Sequence, residues 1–371
     1  MPDAPSPRPW WGTAALSANR IPGQDNALPL RHLASLMVIY GHSYDLSAPM
    51  GQADLVARTM PGFKAGTLAV YVFFTLSGFL LMLSMQRHPG FLRYAWHRFL
   101  RIFPAYWVML LTTVLLLGPV ATTLATGDYF SHGDTWRHLR ENLLPLSFNW
   151  QLPGVFEANP LPGVINGSLW SLGLELRWYA YLGLLLLLGA VARRPVFTAI
   201  ALAFVGFAAW EWTIGKPDPL HYRALSVTFM LAALVAQWRD RLPLSTPLLL
   251  ATMGAAALLH ESRWFGPLAT LAVIYGVLVI TYRLPVWRWS ASRDYSYGLF
   301  LYGFPVQQAL LAAWPSVPPL ALFACATLLA ALLAALSWHL VERPALGFKR
   351  GRPAMPPAAG AVYQTRSSGT W

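Results

Sequence analysis

Ten stretches of about twenty predominantly apolar residues follow one another along the chain, most of them joined by short basic connections. A helix of that length reaches across the hydrocarbon core of a bilayer. The stretches run near 30–48, 65–85, 99–119, 168–191, 195–214, 222–238, 244–260, 265–283, 294–314 and 318–341. The first is the least apolar and the seventh is short. The expected fold class is therefore all-α, a polytopic membrane protein with about ten transmembrane helices and both termini cytoplasmic. Composition excludes the main competitors. Charged residues make up 11% of the 371, whereas a soluble domain carries about 25%. With 56% hydrophobic residues the chain is too apolar for disorder, and its single cysteine, Cys325, rules out a disulfide scaffold.

Residues 1–29 are polar and proline-rich and hold no apolar run of the signal-peptide kind. From Ala345 the chain is again rich in Pro, Gly, Ser and Arg. The expected organisation is a flexible cytoplasmic N-terminal tail (1–29), a ten-helix membrane domain (30–344) and a flexible cytoplasmic C-terminal tail (345–371). The longest connection, about 119–167, falls on the external side. A loop of that length is functional or carries short helices of its own.

The net charge of +12 raises nucleic acid as a partner, and its distribution answers the question. With both tails cytoplasmic, 18 of the 27 lysines and arginines fall on that side, 7 on the other, and Arg31 and Arg177 fall inside spans. That asymmetry is the positive-inside pattern of a membrane protein, so no nucleic-acid partner is expected.

Ionisable residues inside spans are costly and point to function. Arg31 and His42 are eleven residues apart, which places them on one helix face, about 16 Å apart along the axis. Arg31 can be a snorkelling anchor or a ligand group. His42 can be an interhelical hydrogen-bond partner or a base, since imidazole moves protons near neutral pH. Arg98 and Arg101 share a face at the membrane surface, as a basic topological cluster or as a clamp for phosphates. Ser168, Ser171 and Glu175 share another face, and Glu175 needs a proton or a partner such as Arg177. Phe73 to Leu80 carries Ser77 and Gly78, small residues that let helices pack closely. No nucleotide-binding glycine loop, nucleophile elbow or paired-cysteine metal spacing occurs, so no metal is expected. His138, His260 and His339 read as loop or helix-end residues.

At these residues the chain resembles the acyltransferase-3 family of integral membrane acyltransferases, from about residue 26 to 345. The resemblance rests on Arg31 with His42, on Phe73-Phe74-Thr75-Leu76-Ser77-Gly78-Phe79-Leu80, and on Arg98-x-x-Arg101-Ile102-x-Pro104. Two later landmarks complete it: Ser168-Leu169-Trp170-Ser171 through Glu175, and Ser296-Tyr297-Gly298-Leu299-Phe300. It implies a multi-pass enzyme of the bacterial inner membrane. Such an enzyme transfers an acyl group, commonly acetyl, from cytoplasmic acyl-CoA to a hydroxyl of an envelope or exported polysaccharide or its lipid-linked precursor. Arg31, Arg98 and Arg101 would bind the donor. His42 would act as general base or, in a second variant, carry the acyl group, with Glu175 as a further catalytic residue. Membrane lipid and the glycan acceptor are the other implied partners. The loop 119–167 and its flanks look most like members that decorate exopolysaccharides of the xanthan type. One departure is Gly303, where the family often has a histidine. The competing readings are a glycolipid transporter or flippase, which has no use for acyl-CoA, and a polysaccharide polymerase.

Overall fold

The computed structural model describes residues 14–15, 25–47, 52–60, 62–218, 221–284 and 293–349. Most of the two expected tails lies outside the described residues. In the core of a bilayer no water is at hand for backbone amides, so each spanning segment must close its own hydrogen bonds, as a helix does.

The chain builds α1 (Ala27–Leu46), the short α2 (Leu55–Thr59), α3 (Ala65–Arg87) and α4 (Phe91–Thr112). From α4 a π-helical turn, Thr113–Leu117, leads into α5 (Gly118–Ala121). The long connection holds α6 (Thr126–Ser131) and α7 (Gly133–Glu141). Then come α8 (Leu169–Leu187), α9 (Arg194–Thr213), α10 (Tyr222–Gln237), α11 (Thr246–Leu258) and α12 (Phe265–Tyr282). The last are α13 (Ser296–Ala313), α14 (Pro319–Ser337) and, after a second π turn at Trp338–Glu342, α15 (Arg343–Gly347). A two-residue antiparallel ladder joins β1 (Ala14–Ala15) to β2 (Pro243–Leu244).

Each apolar stretch of the sequence thus becomes a helix, and the protein is an all-α polytopic membrane protein. Among the described residues five helical segments meet both length and hydropathy requirements for crossing: 65–87, 91–121, 194–213, 265–282 and 319–347. α1, α8 and α13 carry the polar residues of the site, and that lowers their mean hydropathy. Outward-facing side chains such as Leu250, Leu258, Leu328 and Leu332 are exposed and apolar, as a lipid-facing surface requires.

In hydrocarbon the hydrophobic effect gives little reason for helices to associate, so close packing and interhelical hydrogen bonds do it. Gly78 of α3 lies against the backbone of Phe229 on α10, where any side chain would collide. The expectation that Ser77-Gly78 serves packing therefore holds for Gly78. Gln307 of α13 donates to the Ile39 carbonyl and to Ser43 Oγ of α1, both at 2.7 Å. Ser35 of α1 donates to the Ser296 carbonyl at 2.8 Å. α1 is therefore stitched to α13 along its length.

The long connection carries short helices and is docked. Asn159 Nδ2 donates to the Gln308 carbonyl and Asn166 Nδ2 to the Leu301 carbonyl, both at 2.9 Å. Gln308 Nε2 returns a bond to Val164 at 2.7 Å. His138 of α7 is buried with Nδ1 2.9 Å from the Gln151 carbonyl.

Candidate active site

Two cavities occupy opposite ends of the bundle. The first, of about 390 Å³, is lined by Arg31 near the start of α1, Leu80 and Leu81 toward the end of α3, Arg98 and Arg101 of α4, and Lys349 after α15. The second, of about 540 Å³, is lined by His42 and Asp45 toward the end of α1, Lys64 and Thr67 around the start of α3, and Ser168 and Trp170 at the start of α8. The long connection leads into α8, so the histidine cavity lies at its end of the bundle. Val70, Ser171 and Phe300 line both cavities and form the partition between them.

In the arginine cavity one carboxylate organises two guanidinium groups. Asp294, just before α13, accepts from Arg31 Nη1 at 2.8 Å and from Arg101 Nη2 at 2.7 Å. Its other oxygen accepts from Ser296 Oγ at 2.5 Å. Glu342, carried by the π turn after α14 and almost fully buried, stands 3.7 Å from Arg101. A π turn inserts an extra residue into a helix and is often found at functional sites. Arg31 and Arg101 are thus held by an acid from a distant helix, which neither the Arg31–His42 spacing nor the Arg98–Arg101 spacing indicates.

Arg98 and Lys349 differ from that pair. Neither has an acidic partner among the described residues. Arg98 Nε is buried without a hydrogen bond, and its guanidinium lies 5.7 Å from the centre of the Tyr179 ring. Burial, and then the charges of Arg98, Arg101 and Arg31, push the Lys349 ammonium down to about 8. An anion entering this cavity meets two uncommitted cations.

Glu175 also lines the arginine cavity. It accepts from the Tyr179 hydroxyl at 2.5 Å and from the Ser77 hydroxyl. Arg177, one of the partners the sequence offered, points elsewhere, donating to the Leu146 carbonyl at 2.6 Å, because residues two apart lie on different helix faces.

In the histidine cavity, His42 packs its ring edge-on against Phe304 at 5.1 Å and makes no hydrogen bond among the described residues. Asp45 pairs with Lys64 at 2.6 Å. The site residues read from the sequence therefore divide: Arg31, Arg98, Arg101 and Glu175 share one cavity, and His42 lines the other. Ser171 touches both and links the faces of Ser168 and Glu175. Gly303 leaves no room for a histidine without rearrangement, because a Cβ there would sit 2.8 Å from Ile39 Cγ1.

Sequence reasoning missed Asp294, Lys349, His221 and Glu342. Asp294 was within reach, since it lies two residues before the Ser296-Tyr297-Gly298 landmark. Lys349 was assigned to the tail, yet the helix continues to Gly347 and returns it to the cavity. Among the described residues no cluster of three or more His, Cys, Asp or Glu could hold a metal.

Comparison with known proteins identifies the family of the chain. An O-acetyl transferase of Shigella phage Sf6 is 27% identical over 329 residues, covering 84% of this chain and 93% of that protein. Nodulation protein 10 of Rhizobium leguminosarum bv. viciae is 26% identical over 359 residues, covering 85% and 92%. No solved structure matches the chain. The acyltransferase-3 family model, described as an acyltransferase domain, matches residues 30–339, so the chain belongs to that family and is a multi-pass membrane O-acyltransferase.

Proposed function

We propose that the protein moves an acyl group, acetyl in the simplest case, from acyl-CoA in the arginine cavity to an acceptor hydroxyl in the histidine cavity. The acceptor is an envelope or exported polysaccharide or its lipid-linked precursor, and the membrane is the bacterial inner membrane. The supporting observation is the pair of cavities at opposite ends of α1, one cationic and one holding His42, that share the partition Val70, Ser171 and Phe300. The distribution of basic residues supports a cytoplasmic position for the arginine cavity, where acyl-CoA is found.

CoA carries several phosphates, and the arginine cavity suits them. Arg98 and Lys349 are uncommitted, and Arg31 and Arg101 are oriented by Asp294. Planar guanidinium groups suit phosphate oxygens in particular. The thioester arm then points toward the partition. At the partition the reaction balances as follows. His42 takes the proton of the acceptor hydroxyl, and the oxygen attacks the thioester carbonyl. The new C–O bond forms as the C–S bond breaks, the CoA thiolate leaves through the arginine cavity, and the proton held by His42 neutralises it. The acyl group changes sides while CoA does not. Glu175, held by Ser77 and Tyr179, keeps Tyr179 beneath Arg98 and so positions a donor-binding group.

The test uses purified protein and acetyl-CoA labelled in the acetyl group, with wild type and His42→Ala side by side. His42-dependent passage of label to water or a glycan is the expected result. Full transfer by a correctly inserted His42→Ala variant would refute the reading. Label retained on wild-type protein and absent from the variant would replace the base role of His42 with a covalent one. Neither binding nor turnover by folded protein would favour a glycolipid transporter.

A further inference from the structure

The histidine cavity contains a second histidine that the reaction scheme above does not use. His221 lines it together with His42. Its backbone is left-handed, at φ 55°, and Phe156 is the other non-glycine residue at positive φ among the described residues. A non-glycine residue in this region is uncommon, and such conformations concentrate at functional sites. Capping does not account for it. The His221 side chain makes no cap bond to α10, whose first amides at Arg223 and Ala224 instead donate to the Asp218 carboxylate at 3.1 Å. The imidazole lies edge-on to Tyr71 at 6.3 Å and forms no hydrogen bond among the described residues.

The next residue, Tyr222, braces Trp170 edge-on at 5.6 Å, and Trp170 lines the same cavity. The start of α10 therefore contributes an uncommitted imidazole and steadies an indole. Across the cavity stand Asp45 and Lys64, whose charges cancel in their ion pair. This cavity offers aromatic surface, imidazole nitrogens and balanced charge, in contrast to the cationic arginine cavity. Such a lining suits a neutral ring that has an apolar face and several hydroxyls, that is, a sugar residue.

We propose that His221 is an acceptor-binding residue, hydrogen-bonding a hydroxyl of a neutral sugar that stacks on Trp170 while a neighbouring hydroxyl meets His42. The proposal rests on reading the histidine cavity as the acceptor side. His221 thus supplies this chain with a second acceptor-facing imidazole from α10.

The experiment compares wild type, His221→Gly and His221→Asn in native-like membranes. Gly and Asn both tolerate the left-handed backbone. Gly removes the hydrogen-bonding group, whereas Asn keeps one. The probe is the saccharide fraction extracted from the host envelope and stripped of its esters with mild base, titrated against labelled acetyl-CoA. In His221→Gly the half-saturating saccharide concentration is expected to rise about five- to tenfold, the scale of one lost hydrogen bond. Half-saturation by acetyl-CoA and its slow hydrolysis should stay at wild-type values, and His221→Asn should restore most of the saccharide affinity. Unchanged saccharide saturation in His221→Gly overturns the assignment. A loss that extends equally to acetyl-CoA hydrolysis also overturns it, since it marks a structural role. Failure of wild type to label any saccharide removes the reading of the histidine cavity as a glycan-acceptor side, and the assignment with it.

Discussion

Raising the pH from 7 to 9 should weaken donor binding about tenfold through Lys349 alone. The ammonium is pushed down to about 8 by burial and by the neighbouring arginines, so it is about 90% charged at pH 7 and about 10% charged at pH 9. A charge-assisted bond to phosphate contributes about 1.5–3 kcal/mol in a favourable setting. Lys349 is half-buried, so the lower end of that range applies. The proton then sets the limit: if the charged form alone binds, apparent affinity falls with the charged fraction, about tenfold over the two pH units. The sign is that of a base whose charged form binds, with full affinity below pH 8 and loss above it. Acetyl-CoA binding would be measured calorimetrically at pH 7, 8 and 9 for wild type, Lys349→Arg and Lys349→Met. Arginine stays charged throughout, so its curve subtracts the donor phosphates, the acids that line the cavity, Asp294 and Glu175, and Glu342 beside Arg101. Lys349→Arg should bind with little pH dependence, and Lys349→Met should bind weakly at every pH. Identical slopes for wild type and Lys349→Arg would refute the reasoning.

Asp294→Asn should lower stability by up to about 3 kcal/mol, the low end for a buried pair, because two part-buried guanidinium groups lose their shared counter-charge while Arg101 keeps Glu342 nearby. Arg98→Ala, whose arginine has no such partner, should leave the thermal midpoint nearly unchanged while weakening acetyl-CoA binding, and equal destabilisation by the two would contradict the division of labour. The loop around α7 should loosen in acid. Burial holds His138 down to about 4, so its stabilising effect is complete above about pH 6.5 and is lost as pH falls toward 4, by up to about 3 kcal/mol. Hydrogen exchange of residues 133–166 between pH 7 and 4.5 checks this, and His138→Asn should abolish the pH dependence. Gly303→Ala should cost about 1–3 kcal/mol through its clash with Ile39, and Ile39→Ala should relieve the cost in the double variant.

Much of the architecture was legible because its cause is local. An apolar run of twenty residues admits few structures in a bilayer, so α3, α4, α9, α12 and α14 fall where hydropathy puts them. The grouping of Arg31, Arg98 and Arg101 was legible through their motifs, as was the placement of His42 farther along α1, whereas Glu175, grouped with His42 by the sequence, lines the arginine cavity instead. The alternatives left open at Glu175 were decided in space: of a proton, Arg177 or a group on another span, the structure supplies Ser77 of α3 and Tyr179.

The sequence by itself determined that the chain is a helical membrane protein of the acyltransferase-3 family and which intramembrane residues are candidates for its chemistry. Tertiary structure alone decided the pairing of those residues. Asp294 lies 263 positions from Arg31, and Lys349 reaches Arg98 only because the helix continues through a π turn past Glu342. Hydropathy and helical periodicity are properties of neighbouring residues. A charge is satisfied through space, by whichever group the packed helices bring within a few ångströms, and that packing separated the clustered arginines from His42 by the thickness of Val70, Ser171 and Phe300.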